Sequence, residues 1–245
     1  RRPPRSTPLY SSAASDVYKR QFEACASVLF GKRQFRKSLR DKTLGDTPLA
    51  SVDLELTSLD PVTTQITSIG YVSGSAGKIT LSSSGYHVIN TSADLGQSPV
   101  IHGLTLGILQ QGEGLADAIN SLLPLLKTHV LIFHNARLDL MALDSAFKRC
   151  GLPQLEVLYI DTLQLALYQL NKQHQVLPSN SATLTVCRQR LDLPAFPEHN
   201  ALDDALATIQ LFYAQLNELG ITLENSLESL AHTNAVGRFK LGVPH

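Results

Sequence analysis

Hydrophobic and polar positions alternate most clearly at the start of the stretch Ser51–Pro61, where the apolar positions in and just before it are Leu49, Val52, Leu54 and Leu56. Its apolar residues predict a buried β-strand, and Asp60-Pro61 predicts the turn that ends it. Residues two apart on a strand point to one face, so Asp53 and Glu55 lie side by side within a hydrophobic element. Two adjacent buried carboxylates are costly without a partner, and a divalent cation such as Mg²⁺ or Mn²⁺ removes that cost. The alternative is an edge strand with both acids in solvent.

The rest of the pattern predicts a β-meander followed by alternating strands and helices. Short connections rich in Gly, Ser and Asn separate the meander strands Gln65–Val72, Lys78–Ser82 and Tyr86–Asn90. The later alternation predicts an α/β fold with one mixed β-sheet flanked by helices. The strands predicted there are His129–Phe133 and Leu155–Ile160, and the helices are Leu115–Lys127, Leu138–Cys150, Leu163–Leu170, a short helix that ends at Leu191, and Asn200–Leu219. The final segment, Ile221–His245, is predicted to form a short helix and a tail.

Two further acidic segments follow the first along the chain. Phe133–Asp139 comes at the end of a second apolar run, and His199–Ala205 opens a helical stretch. The three segments, in this order, resemble the three motifs of the DnaQ-like 3′–5′ exonucleases. The His followed five residues later by Asp204 resembles the DEDDh branch. The resemblance covers roughly Leu49–Leu219. Within the family, this region is similar to the exonuclease domain of the DNA polymerase III epsilon subunit. The resemblance implies a ribonuclease-H-like fold.

This resemblance implies a metal-dependent active site. A phosphodiester is anionic, and two Mg²⁺ or Mn²⁺ ions can stabilise both the attacking and the leaving oxygen. The resemblance assigns Asp53, Glu55, Asp139 and Asp204 as metal ligands and catalytic residues, with Asp53 shared by both ions. An attacking water needs a general base that titrates near neutral pH, and His199 is the candidate.

The resemblance also identifies candidate substrate-binding residues. Leu56, Thr57 and Ser58 stand where the family usually has Thr, Thr and Gly, so this turn is expected to alter substrate preference. His102 lies in a segment that resembles a family motif near the 3′-terminal nucleotide, although an incidental loop histidine is the alternative. The four candidates for substrate binding are thus Leu56, Thr57, His102 and Asn135.

Other polar residues near these motifs are predicted to be structural. His134 is expected to be a hydrogen-bonded core histidine that helps to position Asp139. Asp161 or Thr162 is expected to cap the helix that follows. Asp203 is expected to face solvent.

Composition places few limits on this assignment. The 245 residues are 43% hydrophobic and 17% charged, which is ordinary for a soluble globular protein. No apolar run is long enough to span a membrane, so no membrane partner is predicted. The three cysteines, Cys25, Cys150 and Cys187, are widely spaced, which argues against a disulfide framework or a zinc site and favours a cytoplasmic location.

The ends of the chain differ from its centre. Residues 1–21 are rich in Arg, Pro and Ser and resemble a translated sequencing adapter, so we expect them to be non-native. Without them the chain has 16 basic and 20 acidic residues. Residues 22–48 are expected to be a basic extension with a short amphipathic helix, either solvated or in contact with nucleic-acid phosphates. Residues 49–219 are the predicted exonuclease domain, and 220–245 a short C-terminal extension. The basic cluster in the first extension comprises Lys32, Arg33, Arg36, Lys37, Arg40 and Lys42.

Three functions agree with these patterns. The first is a 3′–5′ exonuclease that acts on single-stranded or frayed DNA ends. The second is an exoribonuclease similar to RNase T or oligoribonuclease. The third is a proofreading subunit that acts mainly through a DNA polymerase partner. The sequence favours DNA over RNA as the bound 3′ end and leaves the oligomeric state open.

Overall fold

The computed structural model describes residues 35, 37, 39–58, 64–91, 104–172, 181–197 and 199–243. The chain divides into two compact units, Arg1–Asp41 and Lys42–His245. In the first unit, Phe35 and Lys37 are helical, and the backbone N–H of Leu39 donates to the carbonyl of Phe35 (3.2 Å). Most of the predicted basic extension, and the predicted Asp60-Pro61 turn, lie outside the described residues.

The second unit contains a six-stranded sheet and the helices that cover it. The strands are β1 (Leu49–Leu56), β2 (Ile66–Ser75), β3 (Lys78–Val88), β4 (Val130–Phe133), β5 (Leu155–Asp161) and β6 (Val236–Leu241). The helices are α1 (Leu106–Gln110), α2 (Leu115–Thr128), α3 (Ala136–Arg149), α4 (Thr162–Lys172), α5 (Leu184–Arg190) and α6 (Ala201–Glu218), followed by a 3₁₀ helix over Leu227–Thr233. These elements confirm the predicted α/β architecture.

The strand order is β3-β2-β1-β4-β5-β6. Strands β1, β4 and β5 are parallel to one another, whereas β2, β3 and β6 run antiparallel to their neighbours. The sheet is therefore mixed, as the sequence predicts. Strand β1 lies at its centre, which excludes the alternative that Asp53 and Glu55 belong to a solvated edge strand.

The two faces of β1 have different partners. Val52, Leu54 and Leu56 point to one face and pack in the core formed with α2 and α3. Asp53 pairs with Gly70 of β2, and paired residues share a face of the sheet. Helix α6 covers that second face, because a Cβ on Gly70 would overlap the backbone of Ala201. The alternation of β1 therefore buries Val52, Leu54 and Leu56 against α2 and α3 and turns both acids toward α6.

Two sequence-based predictions about strands are wrong. Lys78–Ser82 and the first part of Tyr86–Asn90 belong to one strand, β3, which ends at Val88 and, as an edge strand, tolerates the polar, partly exposed Ser82–Gly85 stretch. The predicted C-terminal tail instead forms β6, which pairs along β5 from Val236 to Leu241. The 220–245 segment thus contributes a strand to the same sheet.

In the described part of the chain, no helix is both long and apolar enough to cross a membrane.

Candidate metal-binding active site

The site begins at the C-terminal end of β1. Glu55 is 6% exposed, and Asp53 projects from the same face two residues earlier. The pairing between β1 and β2 shifts register between Glu55 and Leu56, so the regular ladder ends at the second acid. The two carboxylates are thus held by a central strand at the point where the sheet opens.

Helix α6 brings the third carboxylate to this point. Asn200 caps the helix, and its Oδ1 accepts hydrogen bonds from the backbone N–H groups of Leu202 (3.1 Å) and Asp203 (3.3 Å). Asp204 lies in the first turn of α6. Carboxylate oxygens of Asp53, Glu55 and Asp204 all lie within 4.8 Å of one another. This convergence of hard oxygen ligands fits Mg²⁺ or Mn²⁺.

Helix α3 supplies the fourth acid, Asp139, which is 8% exposed. The turn before the helix is held by Asp161, whose Oδ1 accepts from the backbone N–H of Asn135 (3.0 Å) and whose Oδ2 accepts from that of Ala136 (3.2 Å). Oδ1 of Asp161 also accepts from the N–H of Leu163 (2.9 Å), in the first turn of α4. One carboxylate therefore fixes the starts of two helices, which confirms its predicted capping role and extends it to the turn that carries Asp139.

Electrostatics show that the acids share one environment. Burial raises the pKa of Asp53 well above its usual value, and the charges of Asp139, Asp204 and Glu55 raise it further. Burial also raises the pKa of Asp139, against the opposing effect of backbone N–H groups. Carboxylates in such a cluster repel one another when ionised, and a bound cation relieves that repulsion. The donor set and its charge thus both fit a divalent metal ion.

His199 lies beside the cluster in an uncommon backbone conformation. Its φ is 68°, in the left-handed region, and its backbone N–H donates to Oδ2 of Asp204 (3.0 Å). The residue is exposed. Non-glycine residues rarely adopt positive φ, and those that do often mark functional sites. The hydrogen bond fixes the backbone of His199 to the acid of the third motif.

The candidate substrate-binding residues occupy different surroundings. Leu56 is 8% exposed, and its side chain packs in the core on the face opposite the two acids. The hydroxyl of Thr57 accepts from the backbone N–H of Gln65 (3.0 Å), which closes the β1–β2 connection. Asn135 is exposed and left-handed (φ 72°). His102 lies outside the described residues.

His134 is a hydrogen-bonded core histidine, as predicted. Its Nε2 lies 2.9 Å from the carbonyl oxygen of Ala182, and its Nδ1 lies 2.9 Å from Oγ1 of Thr162. Burial lowers the pKa of His134 to about 4, so the ring is neutral at pH 7. The ring connects the end of β4 to α4 and to the segment before α5.

Asp203, which the sequence predicts to be solvated, is partly exposed.

Sequence reasoning missed two residues that shape the site. Gly70 has no side chain at the point where α6 crosses the sheet. In the sequence, this close approach is indicated only by a lone glycine inside a strand pattern, which often marks a position where another backbone passes nearby. Arg188 is 4% exposed beneath the loop that leads to His199. An arginine on a short helix carries no signal of burial, because most arginines are solvated.

Comparisons with known proteins agree with this site. The RNase_T family model, described as Exonuclease, matches residues 51–212. The chain is 31% identical over 198 residues to the PolC-type DNA polymerase III of Thermotoga maritima, covering 79% of this chain and 14% of that protein. It is 33% identical over 128 residues to a putative bifunctional exonuclease/endonuclease protein of Mycobacterium tuberculosis, covering 50% of this chain and 19% of that one. The chain thus spans a small part of the length of these relatives.

Solved structures share the fold at low sequence identity. Exonuclease X, in complex with 5′-overhanging duplex DNA, matches with a TM-score of 0.54 and 22% identity, covering 74% of this chain and 98% of that chain. Exonuclease I from Methylocaldum szegediense matches with a TM-score of 0.60 and 15% identity, covering 77% of this chain and 43% of that chain. These similarities confirm the predicted fold class. Because the family model covers most of the chain and includes all four acidic positions, the chain belongs to the RNase_T exonuclease family, which is the DnaQ-like family that its motifs predict.

Proposed function

We propose that this protein removes nucleotides one at a time from the 3′ end of DNA by metal-dependent hydrolysis. The observation that carries this proposal is the convergence of Asp53, Glu55 and Asp204 within 4.8 Å. Membership of an exonuclease family supports the reaction class. The acids come from a central strand and from a helix that crosses it, so the fold itself assembles the ligand set.

Asp53, Glu55 and Asp204 are the residues that would hold the divalent ions, with Asp139 as the fourth carboxylate of the site. Two Mg²⁺ or Mn²⁺ ions bound there supply positive charge that stabilises the attacking and leaving oxygens of a phosphodiester. Burial and the charges of Asp139, Asp204 and Glu55 raise the pKa of Asp53, so a bound cation would favour its ionised form. The site is therefore built to bind metal and an anionic substrate together.

His199 acts as the general base in this proposal. The residue is exposed, and its backbone N–H donates a 3.0 Å hydrogen bond to Oδ2 of Asp204. An imidazole titrates close to neutral pH and can accept the proton of an attacking water molecule. The backbone of His199 is left-handed (φ 68°), and its hydrogen bond to Asp204 supports this assignment by linking the residue to one acid of the cluster.

Candidate contacts to the terminal nucleotide follow from the same geometry. The backbone of Leu56 and the hydroxyl of Thr57 lie immediately after Glu55, and exposed Asn135 begins the turn before Asp139. We assign them to the substrate side of the site. His102 completes the proposed set from the sequence alone.

The names of related proteins favour DNA and a polymerase partner. Several related proteins are named PolC-type DNA polymerase III, and Exonuclease X was solved with duplex DNA. We therefore propose that the 3′ end is DNA and that the domain works together with a DNA polymerase. Cleavage of RNA is the competing possibility that the experiment must resolve.

The test is a gel assay on 5′-labelled single-stranded DNA and the matching RNA, with Mg²⁺ or Mn²⁺ and an EDTA control. We expect a metal-dependent ladder that shortens from the 3′ end of DNA faster than from RNA. Asp204→Ala and His199→Ala should abolish the ladder. Asp203→Ala and His232→Ala, the matched controls, should retain it. Absence of cleavage by folded, metal-supplemented protein would refute the proposal, and faster cleavage of RNA would reverse the substrate assignment.

A further inference from the structure

Arg188 is a buried cation beside the proposed active site. It lies on α5 and is 4% exposed. Its Nη1 donates to the carbonyl oxygen of Ala207 (2.7 Å), and its Nη2 donates to that of Pro194 (2.8 Å). Its Cζ lies 5.3 Å from the centre of the Phe196 ring. The planar guanidinium thus contacts three separate points of the chain at once.

These contacts join the two segments that carry proposed functional residues. Pro194 and Phe196 belong to the loop that leads to His199. Ala207 lies three residues after Asp204 on α6, about one helical turn away. The guanidinium therefore connects the loop to the helix through its hydrogen bonds to Pro194 and Ala207. The hydrogen bond from the backbone N–H of His199 to Asp204 is a second connection between them.

The charge of Arg188 also interacts with one acid of the cluster, Asp204. Arg188 and Asp204 line one cavity of about 260 Å³, together with residues of α5 and of the loop. Burial lowers the pKa of Arg188, and the charge of Asp204 raises it. Its hydrogen bonds go to neutral backbone carbonyls, so the buried cation is not explained by an ordinary ion pair among the described residues.

We propose that Arg188 is a positioning residue that fixes the loop carrying His199 against the helix carrying Asp204. This inference rests on the proposed function, in which His199 and Asp204 act on the same scissile bond. A merely packing role would need only volume at this position. The observed contacts instead use the fork geometry of a guanidinium, which a lysine ammonium cannot reproduce although it keeps the charge.

The test compares Arg188→Lys with Arg190→Lys. Arg190 lies on the same helix and its guanidinium also donates to a backbone carbonyl, that of Ser181, so it is a matched control. For each variant, kcat and KM are measured on one 5′-labelled DNA oligonucleotide, and hydrogen exchange is measured over residues 193–204. We expect Arg188→Lys to lower kcat at least tenfold, to leave KM within twofold, and to speed exchange at the His199 amide. Arg190→Lys should change neither quantity more than twofold.

The two readouts separate failure of this inference from failure of the proposed function. If the unaltered protein does not cleave, the proposed function fails, and exchange at the His199 amide still decides whether Arg188 positions the loop. Unchanged exchange and unchanged kcat in folded Arg188→Lys protein would overturn the inference. If that variant does not fold, Phe196→Leu removes the ring under the guanidinium and keeps its hydrogen bonds. Phe196→Leu should then lower kcat and speed exchange at the His199 amide, by less than is expected for Arg188→Lys. A kcat and an exchange rate equal to those of the unaltered protein would also overturn the inference.

Discussion

Gly70 of β2 lies directly beneath the backbone of Ala201, the first residue of α6. A Cβ at Gly70 would overlap the carbonyl group of Ala201 and the nitrogen of Leu202. Because Gly70 pairs with Asp53 across the sheet, this close approach also sets the separation between the first acid and the helix that carries Asp204. The missing side chain of one glycine thus determines how closely two metal-ligand candidates approach.

Gly70→Ala should therefore reduce both stability and activity. The added methyl group must displace backbone, and overpacking of this kind costs about 1–3 kcal/mol or more. We expect a lower free energy of unfolding and weaker Mn²⁺ binding, measured by urea denaturation and metal titration. Gly107→Ala is the control, because its new methyl group would have only Oγ1 of Thr105 nearby, at 4.0 Å. Unchanged metal affinity in folded Gly70→Ala protein would show that helix approach does not set the site.

Asp53→Asn should stabilise the metal-free protein and remove its response to metal. The folded-state pKa of Asp53 is raised above its unfolded value, so its ionisation costs stability as pH rises through that interval. An amide carries no charge and avoids this cost at neutral pH. We expect a higher melting temperature in EDTA than for the unaltered protein, and no further rise when Mg²⁺ is added. The unaltered protein should gain stability from Mg²⁺, and equal metal responses in the two proteins would contradict the proposed ligand role.

His134→Gln should flatten the pH dependence of stability below neutrality. Burial lowers the pKa of His134 from 6.5 to about 4, so the unfolded chain binds a proton in this interval and the folded chain does not. Stability is therefore fully present above pH 6.5 and is lost as pH falls toward 4, by about 3 kcal/mol in total. Urea denaturation at several pH values measures the difference between the two proteins. Parallel curves would show that this histidine does not titrate as its burial implies.

Asp161→Ala should destabilise the fold through two helix starts. The carboxylate accepts hydrogen bonds from the backbone N–H groups of Asn135, Ala136 and Leu163, and its removal leaves them without this partner. We expect a loss of about 1–3 kcal/mol in the free energy of unfolding, together with reduced cleavage because the turn before Asp139 loosens. Asp117→Ala, an exposed acid in the first turn of α2, should cost much less. Equal losses in the two variants would argue against the capping role.

The sequence predicts most of the parts of this site. The alternation around Asp53 and Glu55 predicts a strand with both acids on one face, and the structure places that strand at the centre of the sheet. The helix that carries Asp204 begins one residue after its predicted start, because Asn200 acts as the cap. These features depend on local periodicity and capping, which short stretches of sequence encode directly.

Features that depend on long-range contacts were not predicted. Strand β6 does carry a period-two signal, because exposed Arg238 and Lys240 alternate with the less exposed Phe239 and Leu241. Its pairing with β5 is visible only in the fold. The approach of α6 to Gly70 and the burial of Arg188 both depend on segments that are distant along the chain. A glycine inside a strand pattern indicates close backbone approach at Gly70 but does not identify α6 as the partner, and no local pattern distinguishes Arg188 from a solvated arginine.

The most direct test of the central claim is the order in which the two ends of one DNA strand are released. The same single-stranded oligonucleotide is labelled at either its 5′ or its 3′ end and incubated with protein and Mg²⁺, and products are resolved over time. We predict that the 3′ label appears first, as a mononucleotide, while the 5′-labelled strand shortens in single steps, and that EDTA stops both. Early release of the 5′ label, internal fragments, or cleavage that persists in EDTA would contradict a metal-dependent 3′–5′ exonuclease built from these four acids.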